Sequence, residues 1–199
     1  MAGPLPNEWA LEPCLDLINT RWRDHVQGTH FHDRLPHPVW RRGFLDHWGY
    51  RVHDPDDSAA IERLRYLRVI LRASLERHIA GRPLTSGQRR EIEAAINGPS
   101  FRMRVVDTEG RETLFLERTG DPWDIVIAEV ATSAIRIIGQ DRAVKECANP
   151  NCTWMFIDTT RGGTRRWCDT SICGSLINVR RFRSGAAYTQ HSSKPFSRP

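Results

Sequence analysis

The 199-residue chain is 39% hydrophobic and 27% charged, with a formal net charge of +5, a composition suited to one ordinary globular domain plus a small appendage. No apolar run reaches eighteen residues, and residues 1–8 lack both a basic start and an apolar stretch, which argues against a membrane helix or secretory signal and for a cytoplasmic protein with no membrane partner. The charge is uneven: ten Lys/Arg against three Asp/Glu from Arg142 onward, nineteen against twenty-one before it, so a polyanionic partner is expected for the C-terminal end alone.

In chain order, Leu11, Leu15, Ile18 and Trp22 recur at helical spacing and predict a helix starting near Pro13. Gly28 to Pro38 reads as a loop. Trp40, Phe44, Leu45 and Trp48 predict a short helix closed by Gly49. Pro55-Asp-Asp-Ser58 opens a longer one, with Ile61, Leu64, Leu67, Leu71, Leu75 and Ile79 on one face and Arg65, Arg68 and Arg72 on a solvated exterior. Thr85-x-x-Gln88 fits a capping box for a helix reaching Ile96. The period then changes. Phe101, Met103 and Val105 alternate as in a half-buried strand, with Thr113–Glu117 as hairpin partner across a turn at Asp107–Arg111. Asp121-Pro122 caps a last long helix with Trp123, Ile127, Val130, Ala134 and Ile137 inward. Cys14 reads as a buried small hydrophobe.

Four of the five cysteines fall within 27 residues, as two pairs with equal internal spacing: Cys147-x4-Cys152 and Cys168-x4-Cys173. Paired thiolates on short loops supply the tetrahedral soft-ligand set that Zn²⁺ prefers, and four protein ligands leave no open position for water, so one structural zinc is expected rather than a hydrolytic one. Asn149-Pro-Asn151 would turn tightly between the first pair, Trp154–Ile157 reads as a strand, Thr159–Thr164 as a turn, and Arg166-Trp167 as the return to the second pair. Ser171 is placed to cap a helix from near Cys173 carrying Ile177, Arg180 and Arg181. A segment of about 35 residues cannot bury enough surface to fold alone, and zinc binding worth roughly 10–16 kcal/mol would supply what its core lacks.

These residues carry a resemblance. Cys147-Ala-Asn-Pro-Asn-Cys152-Thr-Trp-Met-Phe156-Ile-Asp158, with Arg165-Arg-Trp-Cys168 and Cys173-Gly174, resembles the CGNR-type zinc finger, and Leu15-Asp-Leu-Ile-Asn-Thr20 resembles the opening of the ABATE domain that precedes that finger. The resemblance implies a bacterial transcription regulator that binds DNA through the finger. One departure matters: Ser175 and Leu176 stand where the family pattern has Asn and Arg, which leaves zinc binding intact but removes any base or phosphate contact of those two side chains.

Apart from the resemblance, Arg161, Arg165, Arg166, Arg180, Arg181 and Arg183 form a basic cluster suited to phosphates, with Arg180 and Arg181 the leading candidates. Asp16, Asn19 and Arg21 could line a small-molecule effector pocket, or merely pair helices. His30, His32 and His37, with Asp33, invite a metalloenzyme reading that lacks any helical metal motif. The expected architecture is a mostly α domain with a small β-hairpin (residues 9–141), a treble-clef-like four-cysteine zinc finger (142–183) and a disordered tail (184–199). The expected function is a zinc-containing DNA-binding regulator, not an enzyme, with homodimerisation as one route to useful specificity. The alternatives are a protein-interaction module with a purely structural finger and, third, the His-dependent metalloenzyme.

Overall fold

A computed structural model describes residues 9–183; the expected tail lies outside the described residues. Five helices build the core. The first, α1 (Pro13–Ile18), is buried on every side between α3 (Ser58–Ile79) and α5 (Pro122–Gly139). Helix α4 (Ser86–Ile96) packs across α3 and α5, while α2 (Pro38–His47) supplies Phe44 and Leu45 to the same core.

The starts predicted from sequence are present as hydrogen bonds. Asp57 accepts from Ala59 N at 2.8 Å and Asp121 from Trp123 N at 2.9 Å, each satisfying an otherwise orphaned amide. Thr85 and Gln88 form the reciprocal capping box, with Gln88 N on Thr85 Oγ1 at 3.1 Å and Thr85 N on Gln88 Oε1 at 2.9 Å. Gly49 leaves α2 at φ +69°, a left-handed position that favours glycine. Cys14 is fully buried, and desolvation pushes its thiol up to about 12.

Three local expectations are corrected. The first helix does not reach Trp22: it stops at Ile18, because Asn19 turns its side chain onto a distant strand and the Thr20 hydroxyl donates back to Leu17 O at 2.6 Å. Trp22 belongs instead to β1 (Arg21–Arg23), which pairs antiparallel with β2 (Phe31–Asp33) inside the stretch expected to be loop. Trp22 stacks on its cross-strand partner His32 at 5.1 Å, and Arg21 and Arg23 lie over the Phe31 ring at 4.9 and 5.2 Å. Three-residue strands are too short to show a period-2 pattern.

Arg68 and Arg72 are not solvated. Arg68 is buried and makes two parallel 2.7 Å bonds to Asp33, with a third to Thr20. Although burial works against it, Arg68 holds the Asp33 carboxyl below its ordinary range. Arg72 reaches Thr153 O at 2.9 Å and Glu146 at 3.0 Å. The third correction concerns β3 (Ser100–Thr108) and β4 (Arg111–Thr119). They pair in full register through a turn at Glu109 and Gly110, both at positive φ as a two-residue hairpin turn requires. The apolar face expected to be half-buried is instead exposed along its length. The hairpin is tied down at its base, where Arg118 donates to Glu129, Thr132 and Ile96 O.

Candidate metal centre and nucleic-acid interface

The cysteine segment is built on a third hairpin. Strand β5 (Val144–Glu146) runs antiparallel to β6 (Met155–Ile157), and the Cys147–Cys152 knuckle forms the connection. Cys152 N donates to Asn149 O at 2.8 Å, closing the predicted turn. Arg166, on the return to the second cysteine pair, accepts at its carbonyl from Ala148 N at 2.8 Å, while Val144–Glu146 pairs with β6. The second pair of cysteines brackets a π-helical turn, Thr170–Gly174, leading into α6 (Ser175–Arg183). Its cap is Asp169, whose carboxylate accepts from Ile172 N at 3.0 Å; Ser171, the expected cap, donates to that carboxylate instead. Gly174 packs closely, since a Cβ there would meet the Trp167 ring at 3.1 Å and the ring would have to shift by a few tenths of an ångström.

The four cysteines converge. Cys147, Cys152, Cys168 and Cys173 are buried, free of disulfides, and place their sulfurs all within 4.8 Å of one another. Zn–S bonds of about 2.3 Å in a tetrahedron put sulfurs about 3.8 Å apart. The Cys152–Cys168 and Cys168–Cys173 separations are 3.8 and 3.7 Å, so the set fits one zinc ion. Without a cation the sulfurs cannot all ionise: hydrogen bonds from its neighbours hold the Cys147 thiol down, and those same contacts push Cys168 up. Asn149, fully buried, directs its amide at Cys173 Sγ at 3.5 Å and at His25 O at 3.0 Å, so one side chain both supports the sulfur cluster and docks it on the β1–β2 connection.

A family model described as "Putative stress-induced transcription regulator" (ABATE) matches residues 11–141, well over half of the chain, and the CGNR zinc finger model matches residues 143–185. The chain belongs to the ABATE family. No curated protein matches it significantly. Neither matched family is an enzyme family, and among the described residues the only group of three or more metal-ligating side chains within mutual reach is the cysteine set. The histidine stretch is used otherwise. His32 stacks on Trp22, Asp33 binds Arg68, and His37 precedes α2 as its N-cap residue.

The ABATE region and the finger interlock closely. Asn19 donates to Met155 O and accepts from Met155 N, both at 2.9 Å, as an added strand would. Trp22 packs with Trp154, Phe156 and the four cysteines, while Met155 and Ile157 enter the main helical core. Arg180 donates to Val26 O, and Asn151 Nδ2 reaches the same carbonyl at 3.2 Å. Lys145 bonds Asp158 at 2.6 Å and holds its carboxyl well below the usual range, fixing the Thr159–Thr164 turn.

The six arginines divide. Arg165 is half-buried, stacked on Phe156 at 4.6 Å and bonded to Trp167 O and Cys168 O, and Arg180 is engaged with Val26. Arg161, Arg166, Arg181 and Arg183 are exposed. The three pocket candidates do not meet in one place. Asp16 borders a cleft of about 840 Å³ between α1 and β6 that also touches Trp9, Trp154 and Ile172, Arg21 borders a second cleft beside α3, and Asn19 is committed to Met155. Sequence reasoning missed Arg34, whose guanidinium lies 5.3 Å from both the Trp22 and Trp154 rings and 5.9 Å from Trp40. Its signal was the density of tryptophans.

Proposed function

We propose that this chain is a zinc-containing, DNA-binding transcription regulator of the cytoplasm and has no catalytic role. The observation that carries the reading is the exposed basic rim on the zinc-organised segment. Helix α6 buries none of its residues, leaves Phe182 87% exposed, and brings Arg181 and Arg183 to its last turn, with Arg161 and Arg166 on the preceding loop. Ser175 and Leu176 remove the family pattern's Asn and Arg from the first turn, so the contacts fall to the later arginines. Arg180, a leading candidate by sequence, is spent on Val26 O and serves docking. No described helix is long and apolar enough to cross a membrane.

A small-molecule effector fits this reading at the cleft beside Asp16, because a ligand there would touch α1 of the ABATE region and the π-helical turn carrying Cys173 together. Binding at that seam would alter the finger through direct contact.

The test is fluorescence anisotropy with a short DNA duplex across a salt series. Replacing both Arg181 and Arg183 by alanine should reduce the magnitude of the log K versus log salt slope by about 2, since each phosphate contact contributes roughly 0.9. Chelating the zinc should abolish binding. If zinc-loaded wild type shows no salt-dependent binding, or the double variant binds like wild type, the finger is a structural and protein-interaction element.

A further inference from the structure

Among the described residues, six of the fifteen exposed large hydrophobic side chains lie on the β3–β4 hairpin. Cross-strand partners share a face, so Phe101, Met103 and Val105 line up with Arg118, Leu116 and Leu114. The five apolar side chains of that face are 44% to 66% exposed, and Met103–Leu116 and Val105–Leu114 form two directly opposed pairs at its centre. The other face is mixed, carrying Arg102, Arg104, Thr113 and Glu117, with an Arg104–Glu117 ion pair at 3.5 Å, beside Val106 and the exposed Phe115. A two-stranded hairpin needs a covered apolar face to be stable in water. This hairpin's contacts with the helices are confined to its base.

We propose that this face is a homodimer interface, covered by the same face of a second copy of the chain. The area supports that occupant. The five side chains expose roughly 550 Å² per copy, so mutual packing would remove about 1,100 Å² from water, just above the ~1,000 Å² needed by a specific interface. A two-fold contact must also be self-complementary, and the charge distribution selects one arrangement. The face ends in Asp107 and Glu112 at the tip, whereas Arg118 at the base is already paired with Glu129. Antiparallel hairpins keep the two acidic tips at opposite ends of the contact, with the Met-Leu and Val-Leu pairs at the centre. Parallel hairpins would juxtapose four carboxylates. The inference is independent of DNA binding, although a dimer would double the number of fingers per particle.

The experiment is sedimentation and light scattering of the full zinc-loaded chain over a concentration series. Wild type should reach twice the 22.9 kDa chain mass. Met103→Lys with Leu116→Lys places charges at the centre of the interface and should raise the dissociation constant by at least roughly a hundredfold. The opposite-face variant Thr113→Lys should leave it unchanged. Unaltered zinc content and helical circular dichroism in all three proteins would establish that they are folded. A wild type monomeric at about 100 μM, a concentration at which a micromolar dimer would be saturated, would overturn the proposal. So would a dimer insensitive to the paired lysines, or one equally sensitive to Thr113→Lys.

Discussion

Asn19 joins two parts of the fold that are 136 residues apart in sequence. It is 1% exposed, and its carboxamide satisfies both the amide and the carbonyl of Met155, itself fully buried. Asn19→Ala removes two hydrogen bonds and leaves two backbone groups unpaired in the interior. A net bond contributes about 1 kcal/mol and an orphaned buried group costs about 1–3 kcal/mol, so the expected loss is roughly 3–5 kcal/mol. For a chain of this length that corresponds to a fall in Tm of roughly 8–15 °C. Asn19→Asp tests the geometry more sharply: the carboxylate can still accept from Met155 N, but it sets an anion against Met155 O. It should be no better tolerated than alanine. The assay is denaturant unfolding of the zinc-loaded protein by tryptophan fluorescence, with amide exchange at Met155 as the local probe. A loss below about 1 kcal/mol for alanine, or an aspartate variant as stable as wild type, would refute this account.

The remaining predictions concern buried charge. Burial raises the Asp16 carboxyl from its ordinary 3.8 to about 6, against the hydrogen bonds from Ala10 N and Trp48 Nε1. Between about pH 4 and 6 the native state then holds a proton that the unfolded chain has released, so this group's contribution to stability falls as pH rises and is constant above 6. The stability difference between wild type and Asp16→Asn should therefore shift by up to about 3 kcal/mol across that window in urea titrations. A difference independent of pH would contradict the assignment. Arg68→Ala should cost about 3 kcal/mol in the same assay by stranding Asp33, and Arg68→Met with Asp33→Asn should recover most of it; a single-variant cost equal to that of the pair would show that no stranded charge was involved.

The parts of the fold legible in sequence were those written in local chemistry. The caps at Asp57, Thr85 and Asp121 and the apolar face from Leu64 to Leu75 all reappear, because a helix of ten or more residues repeats its signal several times. The cysteine set was legible for a similar reason: two equal spacings constrain geometry more tightly than composition does. What escaped was determined by distant partners. Arg68 looks like any surface arginine until β2 brings Asp33 to it. The β1–β2 hairpin is too short to show a period. Asn19 and Asn149 resemble ordinary turn residues, yet their amides work 136 and 124 residues away. The hairpin of residues 100–119 was visible as alternation, but alternation cannot say whether the apolar face meets its own core or another surface.

The interlock also bears on how zinc acts here. A finger hanging from a linker could lose its metal and unfold without consequence for the rest of the chain. In this protein β6 places Met155 and Ile157 in the helical core, and residues 19–26 carry Asn19, Trp22, His25 O and Val26 O to the finger. Melting of the cysteine segment would therefore withdraw Met155 and Ile157 from the core they share with α1, where burial of such side chains is worth roughly 1.5–3 kcal/mol each. The metal's binding energy is consequently coupled to the stability of α1. The same coupling runs in reverse: any ligand that tightens α1 against β6 also raises the finger's hold on its zinc.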